Sequence, residues 1–432
     1  MTSKTVIAFI ILIGCAAPVF GGEHLTLETA IELALENNHE IRMARNNEAI
    51  GKNRVNIGNA GLLPKLDLVS TANYRDSRTG ASAGSVTQES TQNNTRVQAT
   101  YTLFDGLGNI FSFNRLKAAG RLGELQARSS IENTVLQVSR VYYEVADATE
   151  ILAIAQEALA ISTDRLARAK NQSQYGQARA IDVLSAEVDL NSDSTSYLNA
   201  RLTLAEARRD LNLLLNRSLS EEFTVDTAVT YLRNPDREHL RESALRGNAA
   251  YLIAQNYLEQ ARLDSRLAWS EFFPRLDLQL AYGYNETTSG WGIKYDDPNR
   301  EFSASLTLTF NLFNGFKNNI ERQNAKLAMN NRRLFRDEAR LNLERSLTNA
   351  FEAYLNSLEI LSLQERNLRS ADLNFLRTRD LYNLGQVTTT TFREAQLNLV
   401  RAKNNISSAK YNAKIRELQL LQLTGQLVEK IT

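Results

Sequence analysis

The residues best suited to chemistry are few and scattered. Histidine occurs three times, at His24, His39 and His239, with no H-x-x-x-H spacing to set two imidazoles on one helix face. All three read as solvent-exposed polar side chains. Cysteine occurs once, at Cys15, which excludes an intramolecular disulfide and a cysteine-based zinc site. No nucleophile motif, phosphate-cradling glycine loop or metal-ligand spacing is present. Carboxylates are abundant but fall on helical faces. Basic and acidic residues number 50 and 49, a net charge of +1, without the basic excess that nucleic acid demands. The expectation is a chain that is no enzyme, with no cofactor, metal or nucleic-acid partner. What it does must depend on surfaces and on the elements that carry them.

The N-terminus reads as a targeting segment. Lys4 supplies the positive charge, residues 6–13 (VIAFIILI) the apolar stretch, and Val19 and Gly21 the small-residue cleavage pattern. Residues 1–21 are then a signal peptide and Gly22 the mature start. A second reading stands beside it: Leu12-Ile13-Gly14-Cys15 fits a bacterial lipobox, which would make Cys15 an acylated terminus. The run is too short to span a bilayer, and nothing downstream reaches ~18 consecutive apolar residues. An exported chain without a membrane-spanning helix is expected.

Proline is scarce. Average usage of roughly 5% predicts about twenty; the chain has five, Pro18, Pro64, Pro235, Pro274 and Pro298. Long proline-free tracts permit very long helices and strands. The chain also repeats itself. Leu63-Pro64-Lys65-Leu66-Asp67-Leu68 recurs as Phe273-Pro274-Arg275-Leu276-Asp277-Leu278, and Leu103-Phe104-Asp105-Gly106 as Leu312-Phe313-Asn314-Gly315. Ala34, Leu35 and Asn38 match Ala244, Leu245 and Asn248, and Gly176-Gln177 matches Gly385-Gln386. The offset is 209 or 210 residues throughout. Residues 22–224 and 237–432 therefore read as two copies of one unit, joined by a linker over 225–236.

Each unit opens with a helix-like stretch, about 26–60 and 237–271, ending near a proline. The period then becomes two. Leu276, Leu278, Leu280, Tyr282 and Tyr284 alternate with polar or small residues, as do Phe302, Ala304, Leu306, Leu308, Phe310 and Leu312. The first unit repeats this with Leu66, Leu68, Ala72 and Tyr74, then Val97, Ala99, Tyr101 and Leu103. Strands are expected at about 65–78, 94–104, 275–287 and 300–313. The loops between them would cover 79–93 and the stretch with Trp291, Tyr295 and Pro298. Such segments match the ~9–11 residues of a transmembrane strand, and the clustered aromatics match interfacial girdles. A soluble two-sheet core would show the same alternation.

Asp105 and Asn314 are placed as N-caps of very long helices, over 107–172 and 316–381, with return helices over 181–216 and 388–424. Ile131, Val138, Val145, Leu152, Leu159 and Leu166 are spaced by seven, as are Leu347, Tyr354, Leu361, Leu368, Phe375 and Tyr382. Sustained heptads mean coiled-coil packing. The charges of Arg165, Arg168 and Lys170 read as a solvated face. Glycine stops each long helix at a hairpin tip, Gly176-Gln177 and Gly385-Gln386. Four strands cannot close a barrel, and open edges are not tolerated in lipid. If the strands span a membrane, copies must assemble.

These residues resemble the TolC-like outer-membrane efflux factors. The resemblance rests on the duplicated Pro-x-Leu strand start, the duplicated Leu-Phe-(Asp/Asn)-Gly turn and the tip pattern Ile181-Asp182-Val183-Leu184-Ser185-Ala186-Glu187 after Gly176. It covers nearly the whole mature chain. It implies an α+β membrane protein of the bacterial outer membrane: a homotrimer with a 12-stranded β-barrel and a periplasmic α-helical barrel closed at its tips. It implies passive export of cargo received from a periplasmic adaptor and an inner-membrane transporter. The resemblance places adaptor docking at Gly176, Gln177, Gly385 and Gln386. It places the gate at Asp182, Tyr382, Thr391 and Glu394; Thr391 stands where the family carries a carboxylate, and Val387 where it carries a charge. The alternative function is a periplasmic coiled-coil scaffold without a pore.

Overall fold

The computed structural model describes residues 23–81, 84–175, 179–233, 235–289 and 299–431. The proposed signal peptide and Cys15 lie outside these residues. The first repeat contains strand β1 (Glu23–Leu25), helices α1 (Leu27–Asn37) and α2 (His39–Arg54), strands β2 (Lys65–Ala81) and β3 (Gly84–Phe104), and helices α3 (Gly108–Gln174) and α4 (Ala180–Leu215). A short strand β4 (Phe223–Val225) follows and pairs in parallel with β1. The second repeat contains α5 (Arg237–Gly247), α6 (Ala249–Ser270), β5 (Arg275–Ser289), β6 (Asn299–Thr309), α7 (Lys317–Asn383), α8 (Thr389–Leu423) and the short α9 (Leu427–Ile431). Helices α3 and α7 have 67 residues each, which at 1.5 Å per residue gives ~100 Å.

The opening stretch of each repeat is two helices, not one. The break falls at the duplicated asparagine. Asn38 Oδ1 accepts the N–H groups of Glu40 and Ile41 at 2.9 and 3.2 Å, capping α2. Its Nδ2 donates to the carbonyl of Leu214 at 2.8 Å, at the end of α4. Asn248 repeats this, accepting from Tyr251 N–H at 3.0 Å and donating to the Leu423 carbonyl at 3.1 Å. One side chain thus serves an orphan donor of one helix and an orphan acceptor of another. The helices sit end to end, α4 under α2 and α8 under α6. The helical layer therefore has four positions in the order α2/α4, α3, α6/α8, α7.

Two further expectations change. The segment 79–93 is not a loop: β2 and β3 pair without interruption up to Ala81 opposite Gly84. Threonine and valine in this stretch favour extended backbone, so the ladder runs on through it. The stretch holding Trp291, Tyr295 and Pro298 lies outside the described residues. Asp105 and Asn314 are not the N-caps. The caps are Leu107 and Phe316, in the left-handed region at φ 70° and 65°, each preceded by a glycine at φ 68°. A two-residue left-handed turn swings the chain from strand to helix, and Asp105 Oδ2 reaches across it to accept Asn109 N–H at 2.7 Å. Asn314 binds the Asn318 side chain instead, at 2.7 Å.

The main core gathers α1, α3, α4, α8 and the small β1–β4 sheet around Tyr142, Val138, Leu211, Phe223 and Leu418. Residues 226–233 of the linker cross it as a strap without regular structure. Its backbone groups are satisfied one at a time by distant side chains. Tyr142 accepts from Asp226 N–H at 3.0 Å, and Tyr411 donates to the Thr227 carbonyl at 3.3 Å. Lys414 donates to the Thr230 carbonyl at 2.9 Å. Glu417 accepts from Leu232 N–H and Tyr354 donates to the Leu232 carbonyl, both at 2.9 Å. Burial pushes the Tyr142 phenol up to about 12, as expected for a group held neutral away from water.

Candidate functional site

The four long strands form one antiparallel sheet, β2-β3-β5-β6. Its register puts most of the apolar side chains on one face, with Val69 and Ala281 on the other. Leu66 and Leu68 lie opposite Ala99 and Val97; these lie opposite Leu280 and Tyr282, which lie opposite Ala304 and Phe302. The other face carries Asp67, Gln98, Arg96, Gln279, Ser303 and Ser305. No described residue covers the apolar face, and Phe302 is 67% exposed on it. A soluble core would bury it. An apolar band outside and a polar surface inside is the barrel-strand arrangement in lipid. Among the described residues no helix is long and apolar enough to cross a membrane.

The edges of the molecule are unfinished. Among the described residues, strands β2 and β6 each leave one side unpaired. The helical layer ends in the same way. On α7 an aliphatic stripe at spacing seven, Ile320, Leu327, Leu334 and Leu341, faces outward, with Leu327 63% exposed. At the opposite edge Met43 and Ile50 of α2, and Ile181, Leu184, Val188, Leu198 and Leu202 of α4, are also exposed. These are heptad seams without a partner helix. The seams read from sequence lie inside: Val138, Val145 and Leu166 on α3, and Tyr354, Leu361 and Phe375 on α7, are buried.

At the second tip, Gly385 takes φ 72° and ends α7. Gln386 N–H donates to the Leu381 carbonyl at 2.8 Å and Gly385 N–H to the Tyr382 carbonyl at 3.0 Å. This is the glycine stop with its two reverse bonds. Both Gly385 and Gln386 are exposed. Gly176 and Gln177 lie outside the described residues. The four gate candidates are not brought together as one network. Tyr382 stacks on Phe392 at 4.7 Å between centroids. Asp182 accepts Arg179 N–H at 3.2 Å in the first turn of α4. Thr391 is tied to Thr388, whose hydroxyl caps α8. Glu394 is exposed on α8.

A charged cluster absent from the sequence reading lies nearby. Arg165 was expected on a solvated face; it is 3% exposed. It pairs with Asp189 on α4. Arg393 on α8 grips Asp193 through two nitrogens at 2.6 and 2.9 Å and lies 3.4 Å from Asp189. Ser162 also donates to Asp193. Paired carboxylates are what permit a guanidinium to be buried. Burial first, then the neighbouring Arg393, holds Arg165 below the ordinary arginine value. One signal was available. At an offset of 209, positions 165, 189, 193 and 393 correspond to Asn374, Asn398, Ala402 and Leu184. All four charges of the cluster fall where the other repeat has an uncharged residue.

The cluster begins a polar seam between the hairpins. Where α3 meets α8, Lys403 contacts Glu157 at 2.5 Å and Lys410 pairs with Glu150. Ser407 donates to Asp147 and Glu150 at 2.5 and 2.8 Å. Within each hairpin the helices also pack through apolar contacts: Leu166, Ala169 and Ala186 join α3 to α4, and Phe375, Phe392, Ala395 and Leu399 join α7 to α8. Above Tyr411 the α3–α8 seam becomes apolar and is crossed by the strap.

The sequence profile described as outer membrane efflux protein matches this chain twice, over residues 30–217 and 240–426. The chain belongs to the outer membrane efflux protein family. It is similar to the outer membrane protein TolC of Escherichia coli (strain K12), with 21% identity over 403 residues, covering 91% of this chain and 80% of that protein. It is similar to the cation efflux system protein CusC of Escherichia coli O157:H7, with 23% identity over 419 residues, covering 92% and 85%. Its fold is that of the Campylobacter jejuni CmeC outer membrane channel, at a TM-score of 0.81, 15% identity and coverage of 93% and 86%. The efflux-protein repeat is thus the unit of both the sheet and the helical layer.

Proposed function

We propose that this chain is one of three copies that close into the outer-membrane exit duct of an export system, fed by a periplasmic adaptor and an inner-membrane transporter. One observation supports this above others. The sheet has one uncovered apolar face and two free edges, and the helical layer below it ends at the same two sides in exposed aliphatic seams. A head-to-tail contact of α7 on the next copy's α2/α4 serves strands and helices at once. Three copies of four strands make twelve, wide enough to leave a lumen. Cargo passes without chemistry, and the polar sheet face lines its exit.

The gate in this proposal is the α3–α8 seam. Apolar contacts and, in the first hairpin, the Arg165–Asp189 pair keep each hairpin intact, while the ions paired between hairpins regain their hydration when the hairpins part. The strap and the apolar section above Tyr411 act as the pivot. The tips at Gly176, Gln177, Gly385 and Gln386 receive the adaptor. Proline cannot adopt the φ of Gly385, so Gly385→Pro should deform the tip and abolish export in cells. Assembly in the outer membrane should persist, since the tip is remote from the sheet. Wild-type export by this variant would refute docking at the tip.

A further inference from the structure

The two edge strands of the sheet each carry an adjacent pair of opposite charges: Arg75 and Asp76 on β2, Arg300 and Glu301 on β6. All four are exposed, and none has an ion pair among the described residues. Inside the sheet their neighbours are poor partners. Arg75 lies opposite Ser90, Arg300 opposite Tyr284 and Glu301 opposite Gly283. Asp76 lies opposite Glu89, a like charge, and like charges directly opposite destabilise a ladder.

The register within one copy limits how such edges can meet. A walk across the sheet from Lys65 crosses to Thr100, Gln279 and Ser305. Its next step lands on β2 of the next copy. Strands in a closed barrel tilt, so the walk climbs a fixed number of residues per copy. A descending walk would pass below Lys65, where β2 begins. The climb must also be even, or apolar side chains would turn to the polar face. Four strands ~4.8 Å apart span ~19 Å, and each residue rises ~3.3 Å. Climbs of two, four, six and eight residues therefore give tilts of ~19°, ~35°, ~46° and ~54°. Barrel strands tilt by ~35–45°, which leaves a climb of four or six.

Charge separates the two. A climb of six sets Ser305 opposite the next copy's Thr71. Arg300 then lies opposite the next copy's Asp76 on one face, and Glu301 opposite the next copy's Arg75 on the other. Phe302 meets the next copy's Tyr74, and Leu308 the next copy's Leu68. A climb of four sets Arg300 against Tyr74 and Glu301 against Asn73, and joins no opposite charges at either residue. We propose that copies of this chain join β6 to β2 in the six-residue register, with Arg300 paired to Asp76 and Glu301 to Arg75 at every junction. The proposal rests on the duct reading and fixes its barrel. For twelve strands a tilt of ~46° gives a backbone diameter of ~26 Å, against ~22 Å at ~35°.

Disulfide trapping in the full-length protein tests the register. Ser305→Cys is combined in turn with Thr71→Cys, Val69→Cys and Asn73→Cys, and each single substitution serves as a control. Outer-membrane fractions are oxidised and run on non-reducing gels. Directly opposite Cβ atoms lie ~4.5–5.5 Å apart and diagonal ones ~7–8 Å, whereas a disulfide needs ~3.5–4.5 Å. The pair with Thr71→Cys should link copies into dimers and trimers at least about tenfold faster than either other pair. Faster linkage through Val69→Cys or Asn73→Cys would overturn the register and leave the closed barrel standing. No linkage in any of the three, from protein recovered in the outer membrane, would overturn the duct reading as well. A second measurement is the temperature at which the trimer dissociates in detergent. Glu301→Arg and Arg75→Glu should each lower it, and the two together should regain at least about half of the loss. Losses that simply add would overturn the pairing of Glu301 with Arg75.

Discussion

At the scale of single residues, the asparagines Asn38 and Asn248 do more than their type suggests. Each caps one helix and closes another. Asn248→Ala should cost about 1–2 kcal/mol, the loss of a cap plus an unserved carbonyl. Asn248→Asp keeps the acceptor and loses the donor, and should cost roughly half as much. Thermal unfolding followed by circular dichroism ranks the three proteins; equal stability for Asp and Ala would deny the bridging role. Glu132 offers a pH test. Burial raises its carboxyl above the ordinary range, against the pull of Arg128 at 2.7 Å. A raised folded-state pKa stabilises fully below the unfolded-chain value, and that contribution is lost as pH rises through the folded value. Stability should therefore decline from the acid carboxylate range towards neutrality. Glu132→Gln keeps an oxygen for Arg128 without the charge, so it should flatten this decline and match or exceed the native chain at neutral pH. A variant less stable at neutral pH would mean that the ion pair outweighs desolvation.

At the scale of elements, the seam between α3 and α8 carries the gating proposal. Glu150→Lys sets like charges against Lys410 in a half-buried place, and should loosen the hairpins. Cells carrying it should take up a bulky hydrophilic antibiotic that the native chain excludes. Adding Lys410→Glu restores the pair with its sign reversed and should restore exclusion. If the double variant leaked as much as the single, the pair would not be the fastening. Much of this layer was legible in sequence. Heptads at Val138, Val145 and Tyr354 and alternation at Leu276–Tyr284 report local period, and period survives folding. The helix break at Asn38 was not legible, since the bond that gives it meaning reaches Leu214. The strap was equally hidden. Its partners Tyr142, Tyr354, Lys414 and Glu417 are scattered along the chain and share no motif. Arg165 looked solvated because its carboxylates sit on α4, a turn apart at Asp189 and Asp193.

At the scale of the whole molecule, a single copy is incomplete. Its sheet shows an apolar face and two free edges, and its helical layer shows aliphatic seams at Ile320–Leu341 and Ile181–Leu202. The scarcity of proline now has positions: Pro64 and Pro274 precede β2 and β5, and Pro235 precedes α5. The duplicated strand starts were visible in sequence, whereas the exposed seams became visible only once the inner seams were placed. The central claim is that copies close around a continuous lumen through a bilayer. Single-channel recording of the purified protein in a planar lipid bilayer tests it most directly. Discrete unitary conductance steps are predicted, with the protein recovered from the membrane as a trimer. Inserted protein that passed no current, as a poreless coiled-coil scaffold would, would contradict the account.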